Sequence, residues 1–196
     1  MKNYRPVLNL PFLSKILEKV VLTQLTNHLT SNQLTHKFQS TYRAGHSTET
    51  VLLRVVNDIL TASDAKQVSI LTLLDLSVAF HTIDHSILLR RLEQQLGVSG
   101  LAVSWFKSYV SNRFQFVSAS GSNSQLCKLH YGVPQESVLG PVLFVLYARP
   151  LSQILFNHSC PHQFFADDTQ LRKSCSPEHY DDIRNALQAC IFDIKD

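Results

Sequence analysis

The stretch HQFFADDTQL, residues 162–171, carries two adjacent aspartates, Asp167 and Asp168, inside a run that otherwise has the composition of a buried strand. Like charges side by side repel, and aspartate is a poor strand former. One reading is local: an Asp pair beside a chain reversal is good turn chemistry and is well solvated there. The other is that a bound cation relieves the repulsion. Working outward, CPHQFFADDTQLRKS, residues 160–174, reads as a hairpin with the Asp pair at or beside its turn. A third carboxylate, Asp75, lies at the end of the run VSILTLLDL, residues 68–76, which is nearly continuous, apolar and rich in branched residues. That composition suits a strand covered on both faces. If the two strands are neighbours, Asp75, Asp167 and Asp168 meet at one end of a sheet. Mg²⁺ suits such a cluster because it takes hard oxygen ligands and keeps room for water and phosphate. Two such ions close together can activate a hydroxyl and stabilise the leaving oxygen in phosphoryl transfer.

The remaining pattern is helical with one further hairpin. A helix over residues 14–30 places Ile16, Leu17, Val20, Val21, Leu25 and Leu29 on one face. The next opens near Ser47 or Thr48, with Glu49 in its first turn and an apolar face of Val51, Leu52, Val55, Val56, Ile59 and Leu60. Asp84 can cap a helix that stops before Gly97, and another helix over residues 99–110 carries Trp105, Phe106 and Tyr109. RFQFVSASGSNSQLCKLHYG reads as two strands around a Ser/Gly/Asn turn. VPQESVLGPVLFVLYARPL reads as a turn and a helix disturbed by Pro141 and Pro150. Ser176 and Pro177 start a last helix whose buried side is Tyr180, Ile183, Leu187, Ile191 and Ile194. The fold class is α+β: a small, mostly antiparallel sheet backed by helices.

The 196 residues suffice for one domain or slightly more. Hydrophobic residues make up 44% and charged residues only 17%, which argues against disorder. The net charge of +3 and pI near 8.7 permit a polyanionic partner without demanding one. The four cysteines, Cys127, Cys160, Cys175 and Cys190, have neither CxxC nor zinc-finger spacing and read as reduced structural thiols. With no signal-peptide pattern at the N-terminus and no apolar run long enough to span a bilayer, the expectation is an intracellular protein without a membrane partner.

Several ordered motifs together carry a resemblance. NYRPVLNLPFLSKILEKV, FQSTYRAGHSTETVLLRV, LLDLSVAFHTIDHSIL, GVPQESVLGPVLFVLY and FFADDTQL span nearly the whole chain. It resembles the reverse transcriptase domain of non-LTR (LINE-type) retrotransposons. The resemblance implies a polymerase-type palm with partial helical fingers: residues 1–67 as partial fingers, and residues 68–196 as palm with fingers-like helices inserted. It implies RNA-directed DNA polymerase activity, with an RNA template, a DNA primer, dNTP substrates and two Mg²⁺ ions. Asp75 then corresponds to the first catalytic carboxylate, and Asp167 and Asp168 to the aromatic–Ala–Asp–Asp motif, all three as metal ligands. Phe80 resembles the residue under the sugar of the incoming nucleotide, and Arg5 the fingers arginine on the triphosphate, where a planar fork of donors suits phosphate. Gln135 resembles a residue near the template–nucleotide pair. Gln39, Arg43 and Gly45 match a further fingers motif. Phe80 is equally readable as core, and Arg5 as a solvated charge.

Two departures bear on activity. The family usually reads Ala-Phe-Asp-Thr-Val-Asp-His where this chain reads AFHTIDH, so His81 replaces an anionic acceptor with a group that can donate. It usually reads Pro-Gln-Gly-Ser where this chain reads PQES, so Glu136 replaces a glycine. Glycine is the usual choice where a backbone needs positive φ or close ligand approach. The resemblance also implies that the chain begins inside the fingers and stops before the later palm motifs and the thumb. The alternative functional expectation is therefore a catalytically inactive retrotransposon-derived remnant that at most binds nucleic acid. A different two-metal phosphodiesterase would use the same carboxylates.

Overall fold

The computed structural model describes residues 10–34, 47–75, 79–119, 121–134, 136–165 and 168–195. In chain order the elements are α1 (Phe12–Ser31), α2 (Thr48–Asp64), β1 (Val68–Asp75), the single turn α3 (Ala79–Thr82), α4 (His85–Gln94) and α5 (Leu101–Val110). The short strands β2 (Arg113–Gln115), β3 (Ser118–Ala119), β4 (Ser122–Asn123) and β5 (Cys127–Leu129) follow. Then come α6 (Gly140–Tyr147), α7 (Arg149–Asn157), β6 (His162–Phe165), β7 (Asp168–Cys175), a 3-10 turn over Pro177–His179 and α8 (Tyr180–Lys195). Every described strand pairing is antiparallel, as expected for the α+β class. The chain divides into two compact units: residues 1–34 with 78–147, and residues 35–77 with 148–196. No helix among the described residues is long and apolar enough to cross a membrane.

The second unit is built on a three-stranded sheet in the order β1-β7-β6. Alternation sorts its residues between two faces. On one face Ile70, Leu74, Phe164 and Leu171 pack with Leu155 of α7 and with Leu187 and Cys190 of α8. On the other, α2 engages the sheet through Arg54 Nη1, which donates to Gln163 Oε1 at 3.5 Å, and through an ion pair of Asp58 with Arg172. The helix begins where Ser47 and Thr50 form a reciprocal cap: Ser47 Oγ accepts from Thr50 N at 3.2 Å, and Thr50 Oγ1 from Ser47 N at 2.9 Å. β1 is an edge strand, and one helix does not cover its outer side. Leu73 is 67% exposed while Ile70 and Leu74 are half-buried, so the run read as covered on both faces is covered on only one, and there in part.

His162 lies buried in this hairpin, its Nδ1 2.9 Å from the Cys160 carbonyl oxygen. Burial lowers its pKa below the ordinary 6.5, and the Cys160 carbonyl offsets part of that. Protonation therefore costs more in the folded chain than in the unfolded one. The stability is complete above the unfolded pKa and is lost as pH falls through it toward the lower folded value. A His162→Gln chain is expected to lose less melting temperature between about pH 7 and pH 5 than the parent, read by thermal melts across that window.

In the first unit, Asp84 caps α4 as the sequence implied, its Oδ1 accepting from Ile87 N at 2.9 Å. The helix buries Leu88 and Leu92 and packs against α5 and α6. Arg91 ties α4 to the end of α6: it donates to the Tyr147 carbonyl oxygen, and its guanidinium carbon lies 4.7 Å from the Tyr147 ring centre. Pro141 and Pro150 do not disturb one helix. They sit in the first turns of two, α6 and α7, where a missing N–H costs nothing. α1 departs from expectation more strongly. Leu25 and Leu29 are buried, but Ile16, Leu17 and Val20 are exposed, and the buried residue between them is a carboxylate, Glu18.

Candidate active site

The β1–β7 register brings two of the three predicted carboxylates together. Asp75, the last residue of β1, is the direct partner of Asp168, the first residue of β7. Partners in a ladder project from the same face, with Cβ atoms about 4.5–5.5 Å apart. Both are exposed, at the mouth of the β6–β7 hairpin. The ladder behind them is firmly held: Thr169 and Leu171 are buried, Ser69 and Ser174 share a 2.8 Å hydrogen bond, and Arg172 N donates to the Pro161 carbonyl at 3.0 Å. Two carboxylates on a rigid, open edge form a donor set of hard oxygens that fits a divalent cation. Asp167 lies outside the described residues.

Around Phe80 and the GVPQES segment the backbone itself makes the contacts. Val133 N donates to the Phe80 carbonyl at 2.9 Å, and Gly132 N to the Ile83 carbonyl at 2.8 Å. His85 Nε2 lies 2.8 Å from the Gly132 carbonyl oxygen. Gly132 has φ of +85°, and a Cβ there would meet the Phe80 and His81 carbonyl oxygens and the His81 Cα at 2.9 Å. A Gly132→Ala chain is therefore expected to lose about 3 kcal/mol, seen as a lower denaturation midpoint in urea, because strained backbone and a clash with main chain combine. The Phe80 ring stacks on Phe144 at a 4.9 Å centroid separation. Phe80 thus has a core contact, while its half-buried position leaves ring surface open.

The segment after Pro134 is held by a residue that the sequence reading placed on no site. Glu18, 2% exposed, reaches from α1 to the start of α6. Its Oε2 accepts from Val138 N at 2.7 Å and Leu139 N at 3.1 Å, and its Oε1 from Ser14 Oγ at 3.1 Å. Ser137 adds a local cap: its Oγ accepts from Gly140 N at 2.9 Å and donates to the Pro134 carbonyl at 2.6 Å. A carboxylate at a helix N-terminus meets free N–H groups and the positive end of the dipole. Tyr109 and Arg113 lie beside this carboxylate. Burial pushes the Tyr109 hydroxyl up to about 12, and burial lowers the Arg113 pKa against the opposing pull of Tyr109 and Glu18.

Glu136 sits in this same segment, exposed, with φ of +63°. The left-handed backbone that glycine would provide is therefore present, occupied by a residue that disfavours it. A Glu136→Gly chain is expected to gain about 0.5–1 kcal/mol, measured by urea denaturation.

Arg5, Gln39, Arg43, Gly45 and Gln135 lie outside the described residues. Asp75 and Asp168 belong to the second unit, and Phe80 to the first. The first unit also holds a cavity of about 540 Å³ between α1 and α5, lined by Leu17, Val20, Leu25, His28, Trp105 and Phe106 among others. No carboxylate lines it, so it is not a candidate for metal chemistry. Glu18 was missed because its signal is spatial. In sequence it is one charge on an amphipathic helix.

Comparisons with known proteins converge on one family. The family model described as reverse transcriptase (RNA-dependent DNA polymerase) matches residues 1–195. The chain is 33% identical, over 188 residues, to the probable RNA-directed DNA polymerase from transposon X-element of Drosophila melanogaster, covering 93% of this chain and 20% of that protein. It is 30% identical over 182 residues to the probable RNA-directed DNA polymerase from transposon BS of the same species, covering 93% of this chain and 19% of that protein. It is 36% identical over 152 residues to the RNA-directed DNA polymerase from mobile element jockey of Drosophila funebris, covering 76% of this chain and 16% of that protein. The chain therefore spans a fifth or less of the length of these relatives.

Proposed function

We propose, from the premise that this chain belongs to the reverse transcriptase (RNA-dependent DNA polymerase) family in its LINE-type branch, that it is an RNA-directed DNA polymerase domain joining dNTPs to a primer 3′-hydroxyl. The observation that carries this reading is the register of Asp75 opposite Asp168. Family membership alone does not require that pairing to survive in this chain.

In this reading Asp75, Asp167 and Asp168 would hold two Mg²⁺ ions, which would supply acidification of the primer 3′-hydroxyl and compensation of charge on the triphosphate. The chain's own part is positional. The β1–β7 ladder fixes the carboxylates, Arg5 orients the triphosphate with its fork of donors, Phe80 lies under the sugar, and Gln135 sits near the template–nucleotide pair. The primer oxygen forms a bond to the α-phosphorus as the bond to pyrophosphate breaks, and template pairing selects the base. Residues 1–67 serve as partial fingers and residues 68–196 as palm with inserted helices.

Glu136 favours a second reading, a domain that binds nucleic acid without turnover. Its strained backbone and negative charge lie in a segment that the first reading assigns to a polyanionic substrate. One assay separates them: Mg²⁺-dependent extension of a DNA primer on an RNA template, by the parent and by a Glu136→Gly/His81→Asp chain. Extension by either chain supports the polymerase fold as catalyst, and extension by the revertant alone assigns the loss to the two substitutions. Binding without extension by both supports the second reading.

A further inference from the structure

The hairpin of β2 and β5 has two unlike faces. On one, Arg113 and Leu129 are partners in the ladder and turn inward, Arg113 lying half-buried beside Tyr109 and Glu18. On the other, Phe114 stands directly opposite Lys128. Phe114 and Phe116 are each 53% exposed, and Leu126, Lys128 and His130 are exposed with them. The stretch from Gln94 to Gln135 contains no Asp or Glu, while it holds Lys107, Arg113, Lys128 and His130. An exposed aromatic face without a carboxylate in its own segment suits a polyanion that also carries flat rings.

We propose that this face binds an unpaired nucleic-acid strand, stacking bases on Phe114 and Phe116 and setting a backbone phosphate on Lys128. Rings and ammonium groups in alternation are how single strands are held without sequence readout. The pairing of Phe114 with Lys128 puts one of each within reach of one nucleotide. A duplex offers its bases only at its ends, so the face is selective for unpaired strand. Taking nucleic acid as the occupant rests in part on the reverse transcriptase reading. The exposed rings and the acid-free segment are independent of it.

The test is fluorescence anisotropy with the 196-residue chain and a dye-labelled single strand of about 12 nucleotides, over a salt series. The variants are Phe114→Leu/Phe116→Leu, which keeps apolar side chains and removes the stacking faces, and Lys128→Gln. Melting temperatures matched to the parent establish that each is folded. The expected result is binding at least about tenfold weaker for the double variant. Lys128→Gln should flatten the log–log salt slope by about 0.7. A blunt duplex should respond to neither. Parent-like affinity in the folded double variant overturns the proposal, as does a parent that binds no single strand at low salt. Sedimentation showing that the variants abolish self-association and leave strand binding intact also overturns it, making the face a contact between copies. Primer extension is scored separately. A parent that extends a primer while the double variant binds normally overturns this face alone. A parent that binds through the face and extends nothing, with its revertant also silent, overturns the polymerase reading alone.

Discussion

Asp75→Asn is expected to cut Mg²⁺-dependent primer extension by about 10²–10³-fold while leaving the fold intact. The substitution keeps the size of the side chain and one oxygen, and removes a charge that, in the proposed reading, would draw a cation to the end of β1. Its effect on stability should have the opposite sign. Asp75 and Asp168 are direct partners across the ladder, and like charges so placed are destabilising. In EDTA the variant should therefore be more stable than the parent, by about 0.5 kcal/mol. Adding Mg²⁺ should raise the melting temperature of the parent and change that of the variant much less, because a ligand that binds only the folded state stabilises it by mass action. Thermal melts with and without Mg²⁺ read both effects without requiring turnover. Equal extension by parent and variant would remove Asp75 from the chemistry.

The second large effect is expected at Glu18. Glu18→Ala should cost about 3–4 kcal/mol and lower the melting temperature by about 10 °C. The change deletes the acceptor for two backbone N–H groups, those of half-buried Val138 and buried Leu139, and leaves them without it. It also removes a negative charge from the N-terminal end of α6 and opens a cavity against Tyr109. Glu18→Gln keeps the volume and one oxygen, so about half of the loss should return. Urea denaturation of parent, Glu18→Ala and Glu18→Gln checks the ordering. If Glu18→Ala is as stable as the parent, the 134–139 segment is not held by α1.

What was legible in the sequence was whatever local chemistry decides. The β6–β7 hairpin followed from strand arms flanking turn residues, and the Asp84 cap from its place before an apolar repeat. The meeting of Asp75 with Asp168 needed one further step, that the two strands be neighbours, and the register supplies it. Periodicity failed where long-range contacts decide. It put Leu17 and Val20 in the core of α1, yet the buried position between them is Glu18, whose partners lie 120 and 121 residues away. An amphipathic pattern cannot report free N–H groups elsewhere in the chain. The prolines misled for a related reason. Their effect depends on position within a helix, and Pro141 and Pro150 fall in first turns, where they are tolerated. The positive φ expected of a glycine position in PQES was legible, and Glu136 bears it.

The central claim is that the Asp75–Asp168 pair is the carboxylate end of a divalent-metal site. Its most direct measurement is a Mn²⁺ titration followed by electron paramagnetic resonance, on the parent, Asp75→Asn and Asp168→Asn chains. The account predicts that the parent removes free Mn²⁺ from solution and that each substitution weakens this binding by at least about tenfold. Binding of equal strength in all three chains would contradict it.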